Sequence, residues 1–246
     1  MSELAASLIT PDWPAPANVG ACVTTRAGGV SRGAYAGLNL GDHVGDAPEA
    51  VAHNRAQLSA LYGIRPAWLR QVHGIAVAHA NPEQADEADA SWSATPGVAC
   101  TVMTADCLPV LFCDQAGTRV AAAHAGWRGL AGGVLEATVA RMGVAPGQVL
   151  AWMGPAIGPR QFEVGAEVRE AFVSRHPAAS AAFAAGVVPG KFIADIYALA
   201  RIRLAAAGVT AVYGGGLCTI EDERFYSHRR ANPTGRLAAL VWLRAG

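Results

Sequence analysis

The chain has 246 residues, of which 52% are hydrophobic and 15% are charged, and its formal net charge is zero. This composition supplies a sizeable buried core and excludes disorder over most of the length. The zero net charge and the scattered basic residues lack the electrostatic signature of a nucleic-acid binder, so we expect no nucleic-acid partner.

Hydropathy and cysteine content indicate in which cellular compartment the protein is expected. No apolar run approaches the ~20 residues of a membrane span, and the N-terminus lacks a basic segment followed by an apolar core. We therefore expect a cytoplasmic protein with no membrane partner. Five cysteines in a chain of this length do not indicate a disulfide framework. Most are expected to be buried free thiols.

The first part of the chain is expected to be an N-terminal extension followed by a glycine-dense loop. Residues 1–18 carry three prolines and are expected to lie along the surface before a strand at 19–25. The loop from Arg26 to Gly41 is either a long surface turn or a binding lid, in which glycines let the backbone approach a ligand. In the second interpretation, Arg26 or Ser31 contacts an anion and Asn39 lies beside them.

Helices and strands follow in mixed order. Helices are predicted at 48–62, 130–142, 165–175 and 195–207, the last with Asp195 as its N-cap. Strands are predicted at 68–72, 75–80, 98–103, 109–114, 119–123, 149–153, 210–213 and 237–243.

The segment 81–97 is predicted to be an acidic loop in which Asp86, Glu87 and Asp89 are solvated. No internal repeat or linker is visible. The sequence therefore predicts one α/β (α+β) domain over 1–246, with mixed sheets flanked by helices.

Three reactive residues stand at predicted strand ends, beside glycine or proline: His73, Cys107 and His124. Side chains from neighbouring strands converge at such positions. Two imidazoles and a thiolate form a good zinc ligand set, and three ligands leave the fourth position open. Zn²⁺ lowers the pKa of a bound water to about 7. Spacing alone also permits a Cys–His thiol catalyst or three unrelated core residues.

Other polar residues near these positions have two interpretations each. Arg128 and the amides of 126–129 lie one turn beyond His124 and could hold a phosphate, or Arg128 is an ordinary surface arginine. His228 belongs to a small basic cluster with Arg229 and Arg230, or to a solvated loop. Asp106 either caps a turn or orients a metal ligand.

Short motifs in a fixed order carry a family resemblance that runs from about Gly20 to Leu243. They are Thr25-Arg26-x-Gly28-Gly29-Val30-Ser31, Leu38-Asn39-Leu40-Gly41, Asn54-Arg55, Gln71-Val72-His73-Gly74, Ala88-Asp89-Ala90, Asp106-Cys107-x-Pro109-Val110, His124-Ala125-Gly126-Trp127-Arg128-Gly129, Gly154-Pro155-x-Ile157-Gly158 and Ser227-His228-Arg229-Arg230. By these motifs the chain resembles the YfiH/laccase-domain family, also called the polyphenol oxidase or peptidoglycan-editing-factor family.

The resemblance implies a single α/β-type domain and a zinc ion held by His73, Cys107 and His124. It also implies purine nucleoside phosphorolysis: adenosine, inosine and S-methyl-5′-thioadenosine are cleaved by phosphate to the free base and the (methylthio)ribose 1-phosphate. Adenosine deaminase activity accompanies this reaction in the family picture, as does an older assignment as a copper-dependent polyphenol oxidase.

The residues help to choose among these activities. A multicopper laccase needs a trinuclear copper cluster, whereas this chain has seven histidines and no His-x-His pair, so oxidase activity would need Cu²⁺ in the zinc site. The glutamate that follows a ligand histidine in zinc deaminases is also absent, so any deaminase activity is expected to be slow. For phosphorolysis, we hypothesise that Arg26, Ser31 and Arg128 neutralise phosphate.

Asn39 or His228 would then contact the sugar or the base. Two further classes stay open. In one, Cys107 is the nucleophile and His124 the base of a hydrolase or amidase that acts in peptidoglycan editing. In the other, zinc is purely structural and a fourth ligand, such as Cys113 or His79, closes the site.

Overall fold

The computed structural model describes residues 3–245. The helices are α1 Glu3–Ser7, α2 Pro48–Tyr62, α3 Trp127–Gly132, α4 Val134–Met142, α5 Ala166–Val173 and α6 Ile196–Ala206. The strands are β1 Val19–Val23, β2 Arg65–Ala67, β3 Leu69–Arg70, β4 Val77–His79, β5 Asp86–Glu87, β6 Ala90–Ser93, β7 Val98–Thr104, β8 Leu108–Asp114, β9 Val120–Ala125, β10 Val149–Met153, β11 Glu163–Gly165, β12 Phe183–Ala185, β13 Lys191–Ala194, β14 Ala211–Gly214 and β15 Leu237–Leu243.

Two mixed sheets form the centre of the molecule. One has the strand order β1-β15-β7-β2 and the other β14-β10-β8-β9-β6-β4. Most neighbouring strands in them are antiparallel, and parallel pairs lie at the edges, as between β2 and β7. Smaller sheets pair β11-β13-β12 and β3-β5. The predicted class, a single mixed α/β domain, is confirmed.

The layered arrangement of sheets and helices follows from the direction in which each strand side chain points. Val102 and Val241 of the first sheet pack against Leu111 and Ala122 of the second. The outer face of the first sheet contacts α2, for example through Leu58. Alternate residues of β8 and β9 instead pack against α4 and α6. This period of two places helices on both outer sides of the paired sheets.

Several local predictions need correction. The helix predicted at 130–142 is two helices, α3 and α4, because Gly133 between them has φ 111°, a left-handed conformation that glycine adopts at little cost. Helix α3 also begins earlier than predicted, directly after the strand that carries His124. The segment predicted as the loop 81–97 contains β5 and β6. The predicted N-cap is confirmed, because Asp195 accepts hydrogen bonds from the amides of Tyr197 and Ala198.

The N-terminal segment is tied to the rest of the domain. Ile9 exchanges two backbone hydrogen bonds with Val23, and the Trp152 indole donates to Asp12 at 2.8 Å. None of the helices in the described part of the chain combines the length and apolar character needed to cross a membrane.

Candidate metal centre and cavity

Three loops or strand ends bring His73, Cys107 and His124 together. His73 lies between β3 and β4, Cys107 in the turn between β7 and β8, and His124 near the end of β9. Their ligand atoms all lie within 4.8 Å of one another. The Cys107 Sγ is 3.7 Å from His73 Nε2, and the two imidazole rings meet edge to face with centroids 4.7 Å apart.

The backbone is held in an unusual conformation at this cluster. His73 has φ 60° and Asp106 has φ 90°, and both are non-glycine residues. Left-handed backbone at such residues costs free energy and concentrates at functional sites. Next to His73, the Gln71 side chain exchanges two hydrogen bonds with the backbone of Met103, at 2.8 and 2.7 Å. The loop that carries His73 is therefore fixed to the end of β7.

Asp89 positions two of the three candidate ligands. Its Oδ1 accepts from the backbone N–H of His73 at 2.9 Å and from His124 Nδ1 at 2.8 Å. Its Oδ2 accepts from the amides of Val72 and Gly74. Because a carboxylate only accepts, His124 carries a proton on Nδ1, and Nε2 is the ring nitrogen left to face the cluster. In the metal-free protein Nε2 is protonated as well, and a bound metal ion would replace that second proton.

The prediction that Asp89 is solvated is therefore wrong: its exposed fraction is 0%. A carboxylate is stable in such a position because four donors satisfy it. Only the motif Ala88-Asp89-Ala90 in the family resemblance could have indicated this role from sequence.

Two glycines let α3 start against the His73 loop. A Cβ on Gly126 would lie 2.8 Å from His73 Cδ2 and 3.0 Å from Cys107 Sγ. A Cβ on Gly129 would lie 2.7 Å from the carbonyl oxygen of Gly74. The 2.8 Å and 2.7 Å distances are shorter than real Cβ contacts, so close packing at the cluster requires glycine at both positions.

Charge is shared among the clustered side chains. Burial alone would raise the pKa of the Cys107 thiol, but the charge of His124 and hydrogen bonds from both imidazoles outweigh it and lower this pKa to about 6. Burial would lower the pKa of His124, yet the Cys107 thiolate and Asp89 raise it to about 9. Cys107 is thus a thiolate at neutral pH, the form that binds metals and acts as a nucleophile.

The donor set fits a zinc ion. Two imidazoles, one thiolate and a carboxylate behind one imidazole are the usual parts of such a site, although the same donors also suit copper. Among the described residues the cluster has three members. Cys113 is instead buried in β8, and His79 packs its ring on Trp92. The arrangement is a candidate metal site with three protein ligands among the described residues.

The cluster forms part of the wall of a cavity of about 370 Å³, a volume suited to a small organic ligand. The lining residues are His43, Gln71, His73, Met103, Thr104, Ala105, Asp106, Cys107, His124, Trp127, Ile157, Phe162, Ile196, His228, Arg229 and Arg236. The lining combines apolar side chains with basic ones.

Asp106 joins loops around the cavity. Its carboxylate accepts from Thr219 Oγ1 at 2.6 Å and from the backbone N–H of Arg229 at 2.7 Å. Its carbonyl oxygen accepts from the amide of Ile157. These bonds hold the basic segment around His228 against the turn that carries Cys107.

Only some of the other residues predicted to bind the ligand line this cavity. His228 lines the cavity, whereas Arg26, Ser31, Asn39 and Arg128 are not among its lining residues. Arg26 lies over the ring of Tyr226. Arg128 lies over Trp127 and lines a separate, shallow cleft beyond it.

Ser31 and Asn39 belong to a hydrogen-bond network that ties the glycine-dense loop to Asp46 and to Asn54 of α2. Both donate to Asp46 Oδ2, at 2.6 and 2.9 Å. Asn54 donates to the Ser31 hydroxyl and to the Asn39 carbonyl oxygen. The loop is therefore fixed to the neighbouring chain and to α2, and the hydrogen-bonding groups of Ser31 and Asn39 are used for that.

Sequence reasoning missed the cavity positions of His43, Trp127, Arg229 and Arg236. Trp127 and Arg229 stand in recognised motifs, which are the signals that could have found them. Arg236 follows every recognised motif, and only the fold brings it to the cavity.

The fold and the cluster define a class of protein: a mixed α/β domain with a candidate two-histidine, one-cysteine metal site in the wall of a cavity. The chain belongs to the family described as multi-copper polyphenol oxidoreductase laccase, whose model matches residues 20–244. The predicted family resemblance is confirmed.

Individual relatives cover almost the whole chain. The sequence is 65% identical over 236 residues to "Purine nucleoside phosphorylase PA4543" of Pseudomonas aeruginosa, covering 96% of this chain and 98% of the relative. It is 56% identical over 242 residues to "Purine nucleoside phosphorylase YfiH" of Escherichia coli, with coverages of 96% and 98%. The crystal structure of Neisseria meningitidis protein NMB0706 superposes with a TM-score of 0.95 at 55% identity, covering 97% of this chain and 100% of the other.

Proposed function

We propose that the chain is a zinc-dependent purine nucleoside phosphorylase. It would cleave adenosine, inosine and S-methyl-5′-thioadenosine with phosphate to the free base and the (methylthio)ribose 1-phosphate. The observation that carries this proposal is that the candidate metal cluster, apolar side chains and basic side chains all line one cavity. Relatives at 65% and 56% identity that are named purine nucleoside phosphorylases support it.

The cavity suits the parts of such a substrate. Trp127, Phe162 and Ile157 provide an apolar wall on which a purine ring would stack. His43 and His228 provide polar groups in the same lining. A ligand with a flat apolar part and a hydroxylated or anionic part matches this mixed lining.

In phosphorolysis, one bond forms and one bond breaks at the same carbon atom. A phosphate oxygen bonds to C1′ of the sugar while the bond from C1′ to the purine nitrogen breaks, and the bonding electron pair leaves with the purine. The base therefore needs a proton or a hydrogen bond to leave. Bound at the cluster, zinc would supply a Lewis-acid positive charge at the inner wall of the cavity.

The chain's own residues would orient the reactants and supply the hydrogen bond to the leaving base. His228 lines the cavity on the segment that Asp106 holds in place, and a ring N–H of its imidazole would donate a hydrogen bond to the purine. Trp127 would exclude water from the base. Basic side chains would offset the negative charge of phosphate as it approaches C1′.

Adenosine deaminase activity is proposed as a slow accompaniment. Among the described cavity residues, the carboxylate is that of Asp106, and both of its oxygens already accept hydrogen bonds. A deaminase needs a carboxylate free to shuttle protons to the leaving ammonia. The cavity thus favours cleavage at C1′ over attack on the purine ring.

A second candidate function is a Cys–His hydrolase or amidase acting on peptidoglycan. The observation that favours it is the order Cys107, His124 and Asp89, in which a low-pKa thiol, an imidazole and a carboxylate lie in series as in thiol catalytic triads. The same thiolate would be masked by a bound metal, so the two functions make opposite predictions. Alkylation of Cys107 in metal-loaded protein would favour the hydrolase, and protection would favour the phosphorylase. Copper substitution with oxidase activity stays a lesser alternative, since the chain's seven histidines could not also hold a trinuclear copper cluster.

Metal analysis combined with a nucleoside panel tests the main proposal. We expect about one zinc ion per chain and release of free purine only when phosphate is present. Cys107→Ala should lose both properties. Cys218→Ser is the matched control, because Cys218 lies outside the cavity and a serine can still accept the hydrogen bond from the amide of Gly158. Zinc retained without phosphate-dependent release would reject phosphorolysis.

A further inference from the structure

Arg236 is a partly buried arginine that faces the cavity without a carboxylate partner. It lines the same cavity as Cys107 and His124. Among the described residues no acidic side chain forms an ion pair with it, whereas Arg55 pairs with Asp42 at 3.3 Å. The charges of Cys107 and Asp106 act on this guanidinium, but neither group is its hydrogen-bond or ion-pair partner among the described residues. Its free N–H donors therefore still need a partner, which a ligand can supply.

The backbone of Arg236 is clamped by the motif Leu38-Asn39-Leu40-Gly41. Its N–H donates to Asn39 Oδ1 at 2.8 Å, and its carbonyl oxygen accepts from the amide of Leu40 at 3.2 Å. Asn39 is itself fixed, because its amide group donates to Asp46 and to the carbonyl oxygen of Gly41. A motif that the proposed reaction does not otherwise use thus holds one cavity residue.

The side chain of Arg236 is also held in direction. A Cβ on Gly41 would lie 2.7 Å from Arg236 Cγ, so the glycine makes room for the arginine stem. The Nη1 group donates to the carbonyl oxygens of Thr234 and Gly235, both at 3.0 Å. No described residue accepts from Nε or Nη2. One edge of the guanidinium is therefore anchored to the chain, and its remaining donors are free for a ligand.

We propose that Arg236 binds the inorganic phosphate that the reaction consumes, and that Asn39 and Gly41 are positioning residues that aim it. This inference rests on the proposed function in naming phosphate as the anion. Burial lowers the pKa of Arg236, yet a guanidinium remains charged at neutral pH. Its planar donors match the oxygens of a phosphate.

The test measures phosphate binding separately from turnover. Binding of inorganic phosphate, without nucleoside, is followed by phosphorus NMR line broadening for the zinc-loaded wild type and for Arg236→Gln. We expect roughly 10- to 100-fold weaker binding in the variant, the loss typical of a charge-assisted hydrogen bond to an anion. The KM for phosphate should rise by a similar factor, while the KM for inosine and the zinc content stay unchanged.

Further variants keep the test decisive. Arg236→Lys keeps the charge but not the fork, so it should lose part of the affinity. Gly41→Ala should also weaken phosphate binding, because the new Cβ displaces the arginine stem. Arg141→Gln, at an exposed position of α4 outside the cavity, is the matched control. Thermal unfolding checks that each variant folds, and if Arg236→Gln does not fold, Arg236→Lys and Gly41→Ala decide.

The outcomes separate this inference from the proposed function. Unchanged phosphate affinity in Arg236→Lys, Arg236→Gln and Gly41→Ala overturns the inference, even if the wild type is a phosphorylase. Loss of phosphate binding in a chain that shows no phosphate-dependent cleavage supports the anion site and overturns the proposed function. A wild type that binds no phosphate and releases no purine overturns both.

Discussion

Asp89 and His124 are joined twice, once through side chains and once through the backbone. The Asp89 carboxylate accepts from His124 Nδ1 at 2.8 Å, and the Asp89 carbonyl oxygen accepts from the His124 N–H at 2.7 Å. The same carboxylate also holds the amide of His73. One buried side chain therefore sets the orientation of both candidate histidine ligands.

Asp89→Asn should weaken metal binding by about 10- to 100-fold, the usual cost of losing such a supporting carboxylate. The new NH₂ group cannot accept from the amides of Val72 and Gly74, so the His73 loop loses part of its anchor. Competition with a chromogenic zinc chelator measures the change. Glu87→Gln is the control, since its exposed ion pair with Arg70 contributes little. An unchanged zinc affinity in Asp89→Asn would contradict the role given to this carboxylate.

Gly126→Ala should reduce zinc affinity while the domain stays folded. Its Cβ would meet His73 Cδ2 at 2.8 Å and Cys107 Sγ at 3.0 Å, and it would push two ligands apart. Gly147→Ala is the matched control, because a Cβ there meets no atom within 4 Å. Chelator competition and thermal unfolding provide the readouts. Equal zinc affinity in the two variants would show that the cluster tolerates the extra atom.

Cys107 should react as a thiolate in zinc-free protein. Its pKa is lowered to about 6, and only the thiolate reacts with iodoacetamide. The rate of alkylation should therefore be low at acidic pH and increase with pH, with a midpoint near pH 6. His124→Ala removes a positive charge and should move the midpoint upward. Mass spectrometry of the labelled peptides assigns the reaction to Cys107. The buried Cys22, Cys100 and Cys113, whose pKa values are raised to about 12, should stay unlabelled. A midpoint above pH 8 in the wild type would be inconsistent with the charge sharing described here.

Trp127→Leu should weaken nucleoside binding by roughly tenfold, since base stacking on an aromatic ring contributes about 1–3 kcal/mol. Zinc content and the KM for phosphate should stay close to wild type, because Trp127 provides part of the apolar wall. Steady-state kinetics with inosine and phosphate varied in turn separate the two effects. If the KM for inosine is unaffected, the purine lies elsewhere.

Local sequence was sufficient for much of the fold. The apolar runs around 98–103 and 109–114 predicted β7 and β8 closely, since buried strands need continuous hydrophobic residues. Side chains at strand ends suggested that His73, Cys107 and His124 converge, and the structure does bring them together. The break between α3 and α4 at Gly133 could not be predicted, because a single glycine inside a helical pattern is compatible with an unbroken helix.

Long-range pairing accounts for the rest. Asp89 reads as solvated because it stands in an acidic, proline-bearing run, and only the pairing of β6 with β9 brings it to His124. Arg236 meets Asn39 across 197 positions of sequence. Ser31 and Asn39 appear as ligand contacts in sequence because polar side chains among glycines suit a binding loop equally well. The fold uses them to fix that loop to Asp46 and to α2.

The identity of the sugar product tests the central claim most directly. Inosine is incubated with zinc-loaded protein and phosphate, and the sugar product is identified by phosphorus NMR. We expect ribose 1-phosphate in equal amount to the released hypoxanthine, and neither product with Cys107→Ala. Release of hypoxanthine with free ribose, or no release of base at all, would contradict it.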